Sequence, residues 1–170
     1  MGAYYQATVN KTRYGTWDLG QGAKLMEHSY IGNEYVESVM SLLENKPKEL
    51  RWVCDYSENK GGFDWDDTEE ESLKNVSCYD ITPVYFAINH TKEMYIDMAE
   101  LIQLHHPRSM MMHPIPFLCN SEKGAMGGGD LHREESRRGL WYGDTISISM
   151  DKDYVTSFKN VTADMLFIEH

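Results

Sequence analysis

Short runs of aromatic and β-branched residues recur along the chain with the spacing of β-strands. The first run, residues 3–9 (AYYQATV), is followed by turn-forming residues and predicts an opening β-hairpin. A second hairpin is predicted where residues 84–88 and 94–98 flank a short connection. Apolar runs at 50–55 (LRWVCD) and 144–150 (DTISISM) predict two further strands.

One segment has the longer period of an amphipathic α-helix. Its apolar residues fall at positions i, i+3, i+4 and i+7, namely Val36, Val39, Met40 and Leu43. Asn33 is suited to cap the first turn, and Pro47 marks the end of the segment. The pattern therefore predicts one main amphipathic helix at about residues 33–45.

The remaining segments are shorter or less regular. A polar loop is predicted at 56–77, a short helix at 99–105, a strand at 117–119 after a proline-interrupted stretch, and an edge strand at 166–168. Strands outnumber helices, and most connections are too short for helical crossovers. The expected fold is therefore a single α+β domain, residues 1–170, with a mostly antiparallel sheet and long loops.

The net charge narrows the classes of partner. It is −11, from 16 basic and 27 acidic residues. Affinity for nucleic acid depends largely on Lys and Arg, so direct nucleic-acid binding is not expected. A basic protein is a better electrostatic match, although negative charge also serves solubility.

Cysteine usage and hydropathy bear on the compartment. Three widely spaced cysteines, Cys54, Cys78 and Cys119, predict reduced thiols rather than a disulfide framework. The first residues lack a basic start followed by an apolar run, and no stretch has the length of a membrane span. The expectation is a cytoplasmic protein without membrane contact. Eleven tyrosines and eleven methionines are compatible with a homo-oligomer.

An acidic run interleaved with aromatic residues is the first candidate site. It comprises Phe63, Asp64, Trp65, Asp66, Asp67, Glu69, Glu70 and Glu71. Exposed aromatic groups beside carboxylates can anchor a basic groove on a partner protein. The alternative is a solvated loop, or the first turns of a surface helix, with Trp65 folded back on the core.

A glycine-rich segment at 124–139 is the second candidate site. Its backbone amides could cradle an anion that arginine side chains close over. The candidate ligands are Gly127, Gly128, Gly129, Arg133, Arg137 and Arg138. The glycines match neither the Walker A spacing nor the dinucleotide fingerprint, so a flexible surface loop is the alternative.

Catalytic and metal chemistry have weaker support. No cysteine or histidine pair has the spacing of a zinc motif, and no cofactor, metal ligand or catalytic residue is predicted. A metal-dependent hydrolase would have to draw on aspartates near predicted strand ends: Asp55, Asp97, Asp130 and Asp144.

Several segments resemble small uncharacterised proteins of bacteriophages and prophages. They are the stretch from Gly2 to Leu43, INHTKEMYID at 88–97, HPIPFLCN at 113–120, GGGD at 127–130 and GLWYGDTI at 139–146. Such proteins are often accessory factors against host defence, including anti-CRISPR proteins and sponges for signalling nucleotides. The resemblance implies a phage context and assigns no functional residue.

Three functional hypotheses follow. The first is a phage-type inhibitor that binds a basic host protein, such as a CRISPR effector, through its acidic and aromatic surface. The second is a nucleotide or small-anion binder that uses the glycine-rich segment. The third is a metal-dependent hydrolase.

Overall fold

The computed structural model describes residues 4–55, 68–74, 84–105, 111–121 and 137–166. These residues form an α+β fold around one mostly antiparallel sheet, which confirms the predicted fold class at this level. The strands are β1 (Tyr5–Val9), β2 (Thr12–Tyr14), β3 (Lys48–Cys54), β4 (Glu69–Glu71), β5 (Phe86–Asn89), β6 (Met94–Asp97), β7 (Thr145–Ser149) and β8 (Lys159–Asn160). The α-helices are α1 (Leu25–His28), α2 (Glu34–Ser41), α3 (Met98–Leu104) and α4 (Pro114–Leu118).

The strand order across the sheet is β4-β2-β1-β3-β7-β5-β6-β8. Neighbouring strands are antiparallel except at the two edges, where β4 lies parallel to β2 and β8 lies parallel to β6. Strand β7 lies in the middle of the sheet. It pairs with β3 at Lys48↔Ile146 and with β5 over the whole length of β5, and so joins the two groups of strands.

Both predicted hairpins are present. The β1–β2 turn contains Asn10 with a φ of 55°, a left-handed conformation that Asn adopts more readily than most residues. The Asn10 side chain also accepts a hydrogen bond from the backbone N–H of Glu49, at 3.2 Å, which ties the turn to β3. In the second hairpin, Ala87 of β5 faces Ile96 of β6.

The helix predicted at 33–45 corresponds to α2, which is shorter. Asn33 caps it as expected, since its Oδ1 accepts from the backbone N–H groups of Tyr35 and Val36 at 2.9 and 3.2 Å. Residues 35–40 are all buried, including Glu37 on the side expected to face solvent. Helix α2 is one of four α-helices in the part of the chain described, and a single main amphipathic helix is not confirmed.

One local prediction is wrong, and another is described at a single residue. The strand predicted at 117–119 falls largely within helix α4, because Pro114 and Pro116 fit the first turn of a helix, where their missing N–H groups are not needed. His113 caps this turn by accepting from the N–H of Ile115. The strand predicted at 166–168 begins at Leu166, which instead caps a 3₁₀ helix, and 167–168 lie outside the described residues.

The turn at 139–144 connects α4 to the centre of the sheet through backbone hydrogen bonds. The N–H of Gly139 donates to the carbonyl of Phe117, and the N–H of Gly143 donates to that of Leu50. The turn also carries Trp141, which is buried beside α4. The glycine-rich segment singled out in the sequence thus ends in a well-anchored turn.

Replacing Gly139 by alanine is expected to lower the free energy of unfolding by about 2 kcal/mol. The residue has a φ of 77°, and an added Cβ would lie 2.7 Å from the backbone oxygen of Asn120. Gly20→Ala is the matched control, because Gly20 has a φ of 67° with no atom within 4 Å of its Cβ position. Urea unfolding should place the Gly20→Ala loss near 1 kcal/mol. Equal losses in the two variants would contradict the close contact.

Candidate functional site

Two large aromatic side chains meet on the surface at one end of the sheet. Trp17 is 63% exposed and Tyr4 is 44% exposed. Their ring centroids lie 6.3 Å apart at an interplanar angle of 70°, the edge-to-face arrangement that aromatic pairs prefer. A paired, solvent-facing Trp and Tyr is a common feature of protein-binding surfaces.

Backbone contacts hold the two segments that carry these rings. Tyr4 exchanges two hydrogen bonds with Asp55, because its carbonyl accepts from the Asp55 N–H at 2.9 Å and its N–H donates to Asp55 Oδ1 at 3.0 Å. Trp17 begins a 3₁₀ helix that Gly20 closes by donating to the Trp17 carbonyl at 3.0 Å. Both rings are therefore held by short, structured segments.

Carboxylates lie near this aromatic pair. Asp55 is exposed beside Tyr4, and Asp18 follows Trp17 in the 3₁₀ helix. A Cβ built on Gly15 would lie 3.4 Å from Glu70 Oε1 and 3.9 Å from Trp17 Cδ1, so the Glu70 carboxylate and the indole converge on one point. We call this set the Tyr4–Trp17 surface: Tyr4, Trp17, Asp18, Asp55 and Glu70.

The acidic run predicted as a binding surface is described only in part. Glu69, Glu70 and Glu71 form β4, an exposed edge strand, so the predicted loop or helix is wrong for these residues. Parallel pairing with β2 overrides their low strand propensity, and charged residues are typical of protected sheet edges. The other five residues of the run lie outside the described part of the chain: Phe63, Asp64, Trp65, Asp66 and Asp67.

The predicted anion ligands are likewise only partly described. Gly127, Gly128, Gly129 and Arg133 lie outside the described residues. Arg138 is 2% exposed, with its guanidinium 5.3 Å from the centroid of the Phe117 ring. Arg137 is half-buried in the wall of a separate pocket and donates to the backbone carbonyl of Asp164. The two adjacent arginines therefore have different surroundings.

A buried hydrogen-bond network links Glu37, Tyr85 and His113. No residue pattern in the sequence indicates it. The Tyr85 hydroxyl donates to Glu37 Oε2 at 2.7 Å and lies 2.9 Å from His113 Nε2. Because Nδ1 of His113 accepts from the N–H of Ile115, the neutral ring carries its proton on Nε2 and donates to Tyr85. The N–H of Gly32 donates to Glu37 Oε1 at 3.2 Å and completes the network.

Burial shifts the pKa values of two side chains in this network. It raises the pKa of Glu37, and it lowers the pKa of His113 to about 3. His113 Nε2 lies 3.9 Å from Glu37 Oε1, but a neutral imidazole makes this contact a polar one rather than an ion pair. All three side chains are nearly or fully buried, and their hydrogen bonds hold α2, α4 and the start of β5 together.

A second buried histidine lies against two aromatic rings. Trp52 Nε1 donates to His28 Nε2 at 2.9 Å, and His28 Nδ1 donates to the carbonyl of Gly22 at 3.0 Å. The imidazole stacks on Trp52 and meets the edge of the Tyr35 ring. Burial lowers the pKa of His28 to about 4, so this ring is also neutral near pH 7.

The aspartates considered for a hydrolase serve local structure where they are described. Asp97 caps α3 by accepting from the N–H of Glu100, and Asp144 accepts from the side chains of Asn89 and Lys92. Within the ranges described, no three side chains of His, Cys, Asp or Glu are grouped so that they could hold a metal ion.

The two described cysteines, Cys54 and Cys119, are buried. Burial raises the pKa of the Cys119 thiol well above its usual range, which disfavours the reactive thiolate form at this residue. Among the described helices, none combines the length and the apolar character needed to cross a bilayer.

No family model, curated protein or solved structure matches this chain. What the molecule binds must therefore be inferred from its own surfaces. The Tyr4–Trp17 surface is the strongest candidate, because it combines exposed aromatic area with negative charge on a fixed backbone. Its residues lie far apart in the sequence, and no spacing pattern brings Tyr4, Trp17 and Glu70 together.

Proposed function

We propose that this chain is a phage-type accessory protein that inhibits a host defence system by binding. Its target is a basic, nucleic-acid-handling protein of the host cytoplasm, such as a CRISPR effector. The observation that carries this proposal is the Tyr4–Trp17 surface, where an exposed aromatic pair is flanked by carboxylates.

The charge of the whole molecule supports the choice of partner. A chain with net charge −11 is attracted to the positive groove of a nucleic-acid-binding protein and repelled by nucleic acid itself. The exposed edge strand β4 adds three glutamates next to β2, and Glu70 is the one that lies near Trp17. Long-range attraction would orient the inhibitor before the rings make contact.

The aromatic pair supports a specific contact rather than general attraction. Trp and Tyr are enriched among the few residues that supply most of the energy of protein interfaces. Trp17 and Tyr4 already contact each other on structured segments, which limits the conformational freedom that binding would cost. Occupying the groove would exclude nucleic acid without any covalent chemistry.

Replacing Trp17 by alanine is expected to weaken binding to a basic effector about 100-fold, the effect of a central aromatic residue. Competition with labelled guide RNA or DNA for a purified effector measures this directly. Tyr154→Ala is the matched control, since Tyr154 is 58% exposed and lies outside the Tyr4–Trp17 surface. Binding should also weaken with added salt and with Glu70→Lys.

Two results would count against the proposal. In one, the wild-type protein fails to compete with nucleic acid in any effector of a panel that covers the host's defence types. In the other, Trp17→Ala competes as well as Tyr154→Ala, which would place the contact elsewhere on the protein.

A further inference from the structure

A pocket of about 330 Å³ lies near the β8 edge of the sheet. It is bounded by the turn that starts at residue 137, by β8 and by the 3₁₀ helix Thr162–Met165. Buried apolar side chains line its inner part: Leu118, Trp141, Val161 and Met165. The volume lies at the lower end of the range for small-molecule sites.

The charges at this pocket differ from those of the molecule as a whole. Arg137 and Lys159 contribute two positive charges and Asp164 one negative charge, although the chain carries −11. Arg137 donates to the backbone carbonyl of Asp164, which holds its guanidinium at the pocket wall. Lys159 is exposed on the edge strand β8. The described lining thus combines two basic side chains with an apolar floor.

We infer that this pocket binds a small organic monoanion, with its charge between Arg137 and Lys159 and its apolar body against Trp141 and Val161. The volume accommodates about ten groups the size of a water molecule, which matches a medium-chain or aromatic monocarboxylate. A nucleotide is a poorer fit. Its sugar and base need polar partners that the floor lacks, and Asp164 opposes a second negative charge.

This site is independent of the proposed function. Val161 and Lys159 belong to the β8 side of the sheet, whereas Tyr4 and Trp17 lie on the side of β1 and β2. No residue belongs to both sites, so a substitution at Lys159 or Leu140 removes no part of the Tyr4–Trp17 surface. Failure of either proposal therefore says nothing about the other.

Isothermal titration of the whole protein with octanoate tests the inference, with octanamide as the uncharged analogue and AMP as the nucleotide. Lys159→Met should weaken octanoate binding about tenfold and leave octanamide binding unchanged. Lys152→Met is the control, since Lys152 is exposed and does not line this pocket. Leu140→Asp should abolish octanoate binding, because Leu140 is half-exposed and the new carboxylate would face the anion.

Three outcomes would overturn it. Octanoate at millimolar concentration could give no binding heat. Lys159→Met could behave as Lys152→Met does, which would place the anion elsewhere. AMP could bind more tightly than octanoate, which would assign the pocket to nucleotides. Lys159 and Leu140 are on the surface, so their substitution should leave the protein folded. A change in the binding heat of these variants therefore reports on the pocket.

Discussion

Replacing Tyr85 by phenylalanine is expected to lower the free energy of unfolding by about 3 kcal/mol. The hydroxyl is the shared partner of Glu37 Oε2 and His113 Nε2, and both groups lie beyond the reach of solvent. Without it, a buried carboxyl and a buried imidazole each lose a hydrogen bond. Urea unfolding at neutral pH measures the change.

Two controls separate the hydrogen bonds from the loss of an oxygen atom. Tyr154→Phe removes the same atom from an exposed tyrosine and should change stability by less than about 0.5 kcal/mol. In a Glu37→Gln background, Tyr85→Phe should have an effect of only about 1 kcal/mol, because no buried charge is left unpaired. A full-sized effect in that background would show that Tyr85 acts independently of Glu37.

Mild acid is expected to destabilise the protein by several kcal/mol. Burial lowers the pKa of His28 to about 4 and that of His113 to about 3, from an ordinary value near 6.5. In the unfolded chain both rings gain a proton below pH 6.5, but in the folded chain they stay neutral. Stability is therefore full above pH 6.5 and falls as the pH drops toward 4, by about 1.4 kcal/mol per pH unit for each ring.

Glu37 changes this dependence in the opposite direction. Burial raises its pKa, so the folded state holds a proton that the unfolded chain has already released. Its contribution to stability is lost as the pH rises through the raised value, and it offsets part of the histidine effect in acid. Two histidines against one carboxyl leave a net loss, on the order of 3 to 5 kcal/mol near pH 4.5.

Urea unfolding between about pH 7 and pH 4.5 measures this dependence. His113→Asn is the informative variant, because asparagine can still cap α4 but does not titrate. Its pH slope should be smaller than that of the wild type by about one proton. A wild-type stability that is constant over this range would mean that the two histidines are not both neutral in the folded state.

The sequence was informative wherever a segment's own pattern determines its structure. Both hairpins, the cap of α2 at Asn33 and the central strand β7 follow from local periodicity and turn chemistry. Strand β4 does not follow from the local pattern. Its three consecutive glutamates have low strand propensity and form a strand only through pairing with β2. Helix α4 is not predicted from the pattern because prolines usually interrupt a helix, although they suit its first turn.

The candidate sites depended still more on tertiary structure. Glu37 is 48 residues from Tyr85 in sequence. Without knowledge of that partner, the helical pattern predicts that Glu37 lies on the solvent-exposed face of α2. Trp17 and Tyr4 sit in aromatic-rich segments where burial is the usual outcome. Their exposure follows from the 3₁₀ helix and from the pairing of Tyr4 with Asp55, which the residue pattern does not specify.

The position of β7 bears on the order in which the protein can fold during synthesis. The β1–β2–β3 group and the β5–β6 hairpin are each made before residues 145–149, and among the described strands β7 is the one that pairs with both groups. Until that strand emerges, β3 and β5 each present an unpaired edge, the feature of nascent chains that invites wrong association. Closing the sheet then brings together segments nearly one hundred residues apart, and we expect such a non-local contact to form late and slowly.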